Sequence, residues 1–298
     1  MKDIRRYNNI HDYHKEIGIE TLHPLVSIID FSNINYEIAF PDGHIFDFYA
    51  VFLKDVNCGN MKYGRNYYDY QEGTLLFLAP DQVVTFENRK PQQPKGLALL
   101  FHPDFLRGTT LGQSMKDYTF FSYEVSEALH ISEQERATIL DCFRNIETEL
   151  HHNIDNHSKK LIASNIELFL NYCSRFYDRQ FITRNHANSD ILSRFESLLN
   201  DYFKSKAAQT NGLPTVKFCA DKLNISPNYL GDLLRKETGI SAQEHIQQSL
   251  IEWAKQSLYN SNRPISEIAY ELGFEYPQYF SRLFKKRTGM TPNEYRSS

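Results

Sequence analysis

Ser226-Pro-Asn-Tyr-Leu-Gly-Asp-Leu-Leu-Arg-Lys-Glu-Thr-Gly239 and Tyr276-Pro-Gln-Tyr-Phe-Ser-Arg-Leu-Phe-Lys-Lys-Arg-Thr-Gly289 are two copies of one pattern, offset by 50 positions. Pro227/Pro277, Tyr229/Tyr279, Leu233/Leu283, Lys236/Lys286, Thr238/Thr288, Gly239/Gly289 and Glu244/Glu294 are identical pairs. Upstream, Ala220-Asp-Lys-Leu-Asn-Ile225 matches Ala269-Tyr-Glu-Leu-Gly-Phe274. Each copy reads as a short helix with a small Ala at its centre, where another helix can approach. A turn follows at Asn224 or Gly273, residue types suited to a left-handed backbone. A Pro then sits in the first turn of the next helix, where its missing N–H costs nothing. Helix, tight turn, helix predicts a helix-turn-helix unit, whose second helix lies in the major groove of duplex DNA.

Between the copies, Ser241-Ala-Gln-Glu244 is a capping box that opens a connecting helix. Ile246, Leu250, Trp253, Ala254 and Leu258 fall on one face of that helix, and Trp253 reads as core. If both units face the same way, they meet major-groove turns about 34 Å apart.

Working outward, helical periodicity already starts at Ile191, Leu192, Phe195, Leu198, Leu199 and Tyr202. The polar run Arg184-Asn-His-Ala-Asn-Ser189 reads as a linker. Residues 20–105 read as β: short apolar runs at Leu25–Phe31, Tyr36–Phe40, Phe46–Leu53, Thr74–Leu78, Val83–Phe86 and Leu97–Phe101 are separated by turn residues. Residues 115–182 read as helical, with a capping box at Ser132-Glu-Gln-Glu135 and an apolar stripe from Leu161 to Tyr177. The expected fold class is therefore α+β in two domains. Residues 1–183 hold a small β-barrel (about 20–105) followed by a helical hairpin (about 115–182). Residues 184–189 form the linker, and 190–298 form an all-α domain with two helix-turn-helix motifs.

Composition agrees with an ordered chain: 41% of the 298 residues are hydrophobic, too many for disorder. No apolar run approaches the roughly 18 residues of a membrane span, and the first twenty residues have no secretory core, so a cytoplasmic protein is expected. The four cysteines are too scattered for a metal or disulfide framework. Net charge is −4, yet residues 212–298 carry 11 basic and 9 acidic residues, leaving the acidic excess to the first domain. What matters for DNA is where the positive charges sit. Helical spacing places Gln278, Ser281, Arg282 and Lys285 on one face of the second recognition helix. Tyr276 to Gly289 contains four basic residues and no acidic one. Arg282 is the expected base reader, with Lys285 and Lys286 on phosphates. The equivalent face of the first unit is Asn228, Gly231, Asp232, Arg235 and Lys236. Gly231 offers no side chain and Asp232 repels phosphate unless it accepts from a cytosine amino group, so this unit is expected to position rather than read. Tyr229, Phe280 and Phe284 read as core.

The segment Ile265-Ser-Glu-Ile-Ala-Tyr-Glu-Leu-Gly-Phe-Glu-Tyr-Pro-Gln-Tyr-Phe-Ser-Arg-Leu-Phe-Lys-Lys-Arg-Thr-Gly-Met-Thr-Pro-Asn-Glu-Tyr-Arg296 resembles the AraC/XylS family of bacterial regulators. The likeness covers roughly residues 190–298. The N-terminal part resembles the cupin-like sensory domains of the same family. The resemblance implies that positions 278, 281 and 282, and likewise 228, 231 and 232, face the groove. It implies double-stranded DNA as partner, a homodimer, a small-molecule effector, and RNA polymerase where the regulator activates. Phe46, Phe48, Tyr49, Arg65, Tyr67, Tyr68 and Tyr70 are the candidate effector-lining residues, with Arg65 able to pair an anion. Gly64-Arg-Asn-Tyr-Tyr-Asp-Tyr-Gln-Glu-Gly73 lacks the His-x-His run of metal-binding cupins, so no metal, no cofactor and no enzymatic activity are expected. The His151, His152, Asp155, His157 cluster has no recognised ligand spacing and reads as a loop or an exposed helix end. Two alternatives stand beside the effector-gated regulator. One is a regulator controlled by a partner protein or by its own abundance. The other is a metal-free cupin-like enzyme that keeps a DNA domain.

Overall fold

The computed structural model describes residues 4–34, 43–54, 61–63, 66–68, 73–86, 96–124, 127–152, 155–183, 185–259 and 263–297. The chain divides into two compact units, Met1–Thr183 and Arg184–Ser298.

The first unit runs β1 (Ile4–Tyr7), α1 (Ile10–Ile17), β2 (Val26–Asp30), β3 (Gly43–Phe46), β4 (Tyr49–Lys54), β5 (Met61–Tyr63), β6 (Asn66–Tyr68), β7 (Thr74–Leu78), β8 (Val83–Phe86), β9 (Gly96–Phe101), α2 (Pro103–Leu106), α3 (Thr110–Ser114), β10 (Leu129–His130), α4 (Glu133–His151) and α5 (Ser158–Thr183). The strands form two sheets, ordered β1-β3-β8-β5-β6 and β10-β7-β4-β9-β2. Strand alternation sets the faces. Ala50, Leu76, Leu78, Ala98 and Leu100 of the second sheet join Phe46, Phe48 and Val84 in one core, which Tyr7, Ile10, Tyr13 and Ile17 complete. On the other face of that sheet, Phe77 meets Phe120 at 4.5 Å and Tyr177 of α5 at 6.1 Å. All five residues of β7 are therefore buried, and Thr-Leu-Leu-Phe-Leu is nearly continuous in hydrophobicity because both faces are covered. Gln180 of α5 fixes the edge strand. Its side chain accepts from the His130 N–H (2.8 Å) and donates to the Ala128 carbonyl (3.2 Å).

The second unit is all helix: α6 (Asn185–Lys204), α7 (Ala207–Asn211), α8 (Val216–Leu223), α9 (Pro227–Thr238), α10 (Ala242–Tyr259), α11 (Ile265–Glu271), α12 (Pro277–Thr288) and α13 (Pro292–Ser297). Tyr202, Leu250, Ala254, Ile268, Phe280 and Phe284 are buried together, and Trp253, expected in the core, is half-buried against them.

Several expectations change. The apolar run Phe46–Leu53 is two strands, because the chain bends at Asp47 and Phe48, where the Asp47 N–H donates to the Tyr7 carbonyl (3.0 Å). Among the described residues of 115–132 there are short 3₁₀ turns and β10, and α4 begins only after the capping residue Ser132. The polar run expected as a linker at 184–189 is helical from Asn185 onward. Polar residues sit well on a helix whose apolar side begins later, and Asn188 is itself buried, its amide donating to Glu237 (3.0 Å). The N-terminal β1–α1 pair was not anticipated, because Ile-Arg-Arg-Tyr is too short and polar to signal a strand. The expected strand Tyr36–Phe40 lies outside the described residues.

Candidate nucleic-acid interface

Each helix-turn-helix unit is built by local chemistry that the repeat preserves. In the first, the Thr215 hydroxyl accepts from the Phe218 N–H (3.1 Å) to start α8. Asn224 ends it at φ 58°, and the Ile225 N–H closes the turn on the Ala220 carbonyl (3.1 Å). The buried Ser226 hydroxyl then accepts from the Tyr229 N–H (3.1 Å) to start α9. In the second unit the Phe274 N–H closes on the Ala269 carbonyl (3.0 Å), and Gly273 holds φ 91°. Ala220 and Ala269 are both fully buried. After each recognition helix the same two residues repeat their roles. Thr238 and Thr288 donate to Leu234 (2.7 Å) and Phe284 (2.8 Å) carbonyls. Glu244 and Glu294 accept from the Ser241 (2.9 Å) and Thr291 (2.6 Å) N–H groups, and these bonds hold both carboxyls below the usual carboxylate range. Glu271 at the end of α11 is likewise held low, first by Lys206 (2.7 Å) and then by Arg263.

The two outward faces differ. On α12, Phe280 and Phe284 are fully buried while Gln278, Arg282, Lys285 and Lys286 are exposed and Ser281 is half-buried, its hydroxyl bonded back to Pro277 (3.2 Å). Among the described residues, Arg282 and Lys286 form no ion pair, whereas Arg287 is tied to Gln247 of α10. Such a face presents positive charge together with an exposed guanidinium, the groups that suit phosphates and base edges. On α9, Asn228, Arg235 and Lys236 are exposed and Gly231 and Asp232 half-buried. The charged residues of α9 are Asp232, Arg235, Lys236 and Glu237, which cancel. The repeat hides another difference: Tyr229 is 5% exposed, as expected of core, but its twin Tyr279 is 57% exposed and packs edge-on to Tyr276 (5.8 Å). Identity of sequence gave no signal for this. The caps differ as well: the Ser226 hydroxyl accepts a backbone N–H, and the Tyr276 side chain makes no such bond.

Among the effector candidates whose side chains are described, Phe46, Phe48 and Tyr49 do not share one face. Phe46 and Phe48 lie 5.1 Å apart inside the packed core, at 3% and 0% exposure. Tyr49 points to the opposite face of β4, stacked on Phe101 (5.0 Å) and edge-on to Phe121 (5.0 Å). Tyr67 and Tyr68 lie in β6, and nothing of their side chains is described; Arg65 and Tyr70 lie outside the described residues. A cleft of about 150 Å³ opens elsewhere in the unit, bordered by His23, Phe105, Asp155, Lys159 and Ile162, none of them among the expected effector-lining residues. Asp155 of the histidine-rich run caps α5, accepting from the His157 (2.7 Å) and Ser158 (2.9 Å) N–H groups.

Two family models match the chain: a helix-turn-helix domain over residues 219–298 and an AraC-like ligand binding domain over residues 58–166. The transcriptional regulatory protein YesN of Bacillus subtilis is 44% identical over 78 residues, 26% of this chain and 21% of that protein. The HTH-type transcriptional regulator YijO of Escherichia coli K12 is 30% identical over 142 residues, 48% of this chain and 46% of its own. The HTH-type transcriptional activator RhaR of Escherichia coli K12 is 33% identical over 118 residues, 39% of this chain and 42% of its own. The chain thus spans between about a fifth and a half of the length of these relatives. It carries a helix-turn-helix domain match behind an AraC-like ligand binding domain match, and the relatives it resembles are transcriptional regulators.

Proposed function

We propose that the protein is a sequence-specific transcription regulator that binds double-stranded DNA through both helix-turn-helix units and has no enzymatic activity. The observation that carries this is the exposed basic face of α12, with Arg282 and Lys286 unpaired among the described residues. Arg282 reads base edges, with Gln278 and Ser281 beside it, and Lys285 and Lys286 hold phosphates. Arg235 and Lys236 hold the backbone at the first unit. The protein works as a homodimer in the cytoplasm. Leu161, Leu168 and Ile182, seven and fourteen residues apart on α5, are 46%, 45% and 68% exposed, an apolar heptad stripe, interrupted by Arg175, that suits a seam with a second copy. Linking four readers raises affinity without new contacts. A small-molecule effector bound by the N-terminal domain biases the DNA-binding state, and RNA polymerase is the partner at activated promoters. A second reading, regulation without a small molecule, is favoured by the packing of Phe46 and Phe48 into the core.

Selection of genomic fragments by the full chain, repeated with Arg282→Ala, tests the proposal. Wild type should enrich discrete sites, and the variant should lose preference at one or two base pairs. Failure of wild type to enrich anything over bulk DNA sinks the reading. Uniform weakening by the variant would make Arg282 a phosphate contact.

A further inference from the structure

Gly231 sits in the middle of α9, a 12-residue helix, at an ordinary negative φ. Glycine there costs helix stability and gains nothing in backbone freedom. Close packing does not explain it either: a Cβ built at Gly231 meets no atom within 4 Å. This sets it apart from Gly112 and Gly273, whose Cβ would strike backbone at 2.4 Å and 2.8 Å. Its counterpart in the second unit is Ser281, which carries a side chain in the same register. The space over Gly231 is therefore open to something outside the chain. It lies on the face that also carries Asn228, Asp232 and Arg235, opposite the buried Leu230, Leu233 and Leu234.

We propose that Gly231 is a close-approach position for DNA: the edge of a major-groove base pair comes into van der Waals contact with the α9 backbone there. This rests on the DNA-binding reading and deepens it. Helices enter the groove with their side chains as spacers, so a bare position between two short ones, Asn228 and Asp232, lets the helix axis lie nearer the base edges. The charges on α9 cancel, so the first unit gains little from phosphate attraction compared with α12. It depends on fit instead, and Gly231 sets the fit. The first unit is then a shape reader beside a charge-driven second one.

The test is a size series at one position in the full-length protein, using a bound genomic fragment that carries both half-sites. Gly231→Ala should raise the urea midpoint of unfolding, because alanine is the better helix former, while weakening DNA binding about fivefold. Gly231→Leu should weaken it more than tenfold with the fold intact by circular dichroism. On a fragment whose first-unit half-site is scrambled, both variants should bind as wild type does. Affinity of Gly231→Ala equal to or above wild type on the intact fragment overturns the proposal. Equal losses on the scrambled fragment also overturn it, since the effect would not come from the α9 contact. Absence of wild-type binding to any fragment is a different outcome, and it removes the DNA-binding reading itself.

Discussion

Replacing Gly273 with alanine should damage the second unit far more than the same change at Asn224 damages the first, although both residues occupy the turn of a helix-turn-helix. Asn224 holds φ 58° and already carries a Cβ, so Asn224→Ala loses only the tolerance of asparagine for left-handed backbone. That costs about 1 kcal/mol. Gly273 holds φ 91°, and its missing Cβ would lie 2.8 Å from the Ala208 carbonyl oxygen and 2.9 Å from the Gly212 carbonyl carbon. Contacts under 3 Å with backbone require α7 to move, and α7 is held in turn by the Tyr202 hydroxyl on the Gly212 carbonyl (2.9 Å). Adding about 1–2 kcal/mol for a left-handed non-glycine residue to about 1–3 kcal/mol for overpacking gives about 3 kcal/mol. That is a large part of the roughly 5–15 kcal/mol that holds a domain together. The chain has one tryptophan, Trp253, which packs against the core shared by Leu272 and Phe274. Trp253 lies on α10, which joins the two helix-turn-helix units, so its emission during urea unfolding follows the Arg184–Ser298 domain that holds both. If Gly273→Ala costs no more than Asn224→Ala, the close approach of the turn to α7 is not what the glycine serves, and the reasoning fails.

Three further expectations concern the first unit. Gln180→Leu strands the His130 N–H and the Ala128 carbonyl in a buried site, and should cost about 2–4 kcal/mol in urea unfolding followed by circular dichroism; a loss below the error of that assay would show that water replaces the amide. His14 and His44 are buried, and burial pushes each down to about 4, so both are neutral in the folded protein. The unfolded chain then binds more protons than the folded one, and stability should fall as pH drops from about 6.5 toward about 4, with His44→Asn flattening the slope; a slope unaltered by that substitution would remove His44 from the account. Leu168→Lys, at an exposed position of α5, should leave the far-ultraviolet spectrum unchanged and shift sedimentation from dimer to monomer, and a dimer that persists would exclude the α5 seam.

The second domain was legible in the sequence because its information is local and duplicated. Caps, turn residues and the Pro that opens each recognition helix act within a few residues of themselves, and a repeat doubles the signal. Capping boxes at Ser132 and Ser241 were readable for the same reason. What stayed hidden was set by partners far along the chain. No local feature says that the run through Phe46 and Phe48 must bend, because the bend answers to Tyr7 some forty residues earlier. Nor does an aromatic side chain announce whether it faces a cavity, a packed core or the outer side of a sheet. Phe48 and Tyr49 are neighbours in sequence, and strand geometry sends them to opposite faces, one into the core and one against Phe121. The same limit applies inside the repeat. Tyr229 and Tyr279 are identical in type and register, yet one is buried and one exposed. A repeat therefore transmits the backbone of a reader more faithfully than its surface. The surface positions where the two copies differ, Gly231 against Ser281 and Asp232 against Arg282, are where the two units should recognise DNA differently.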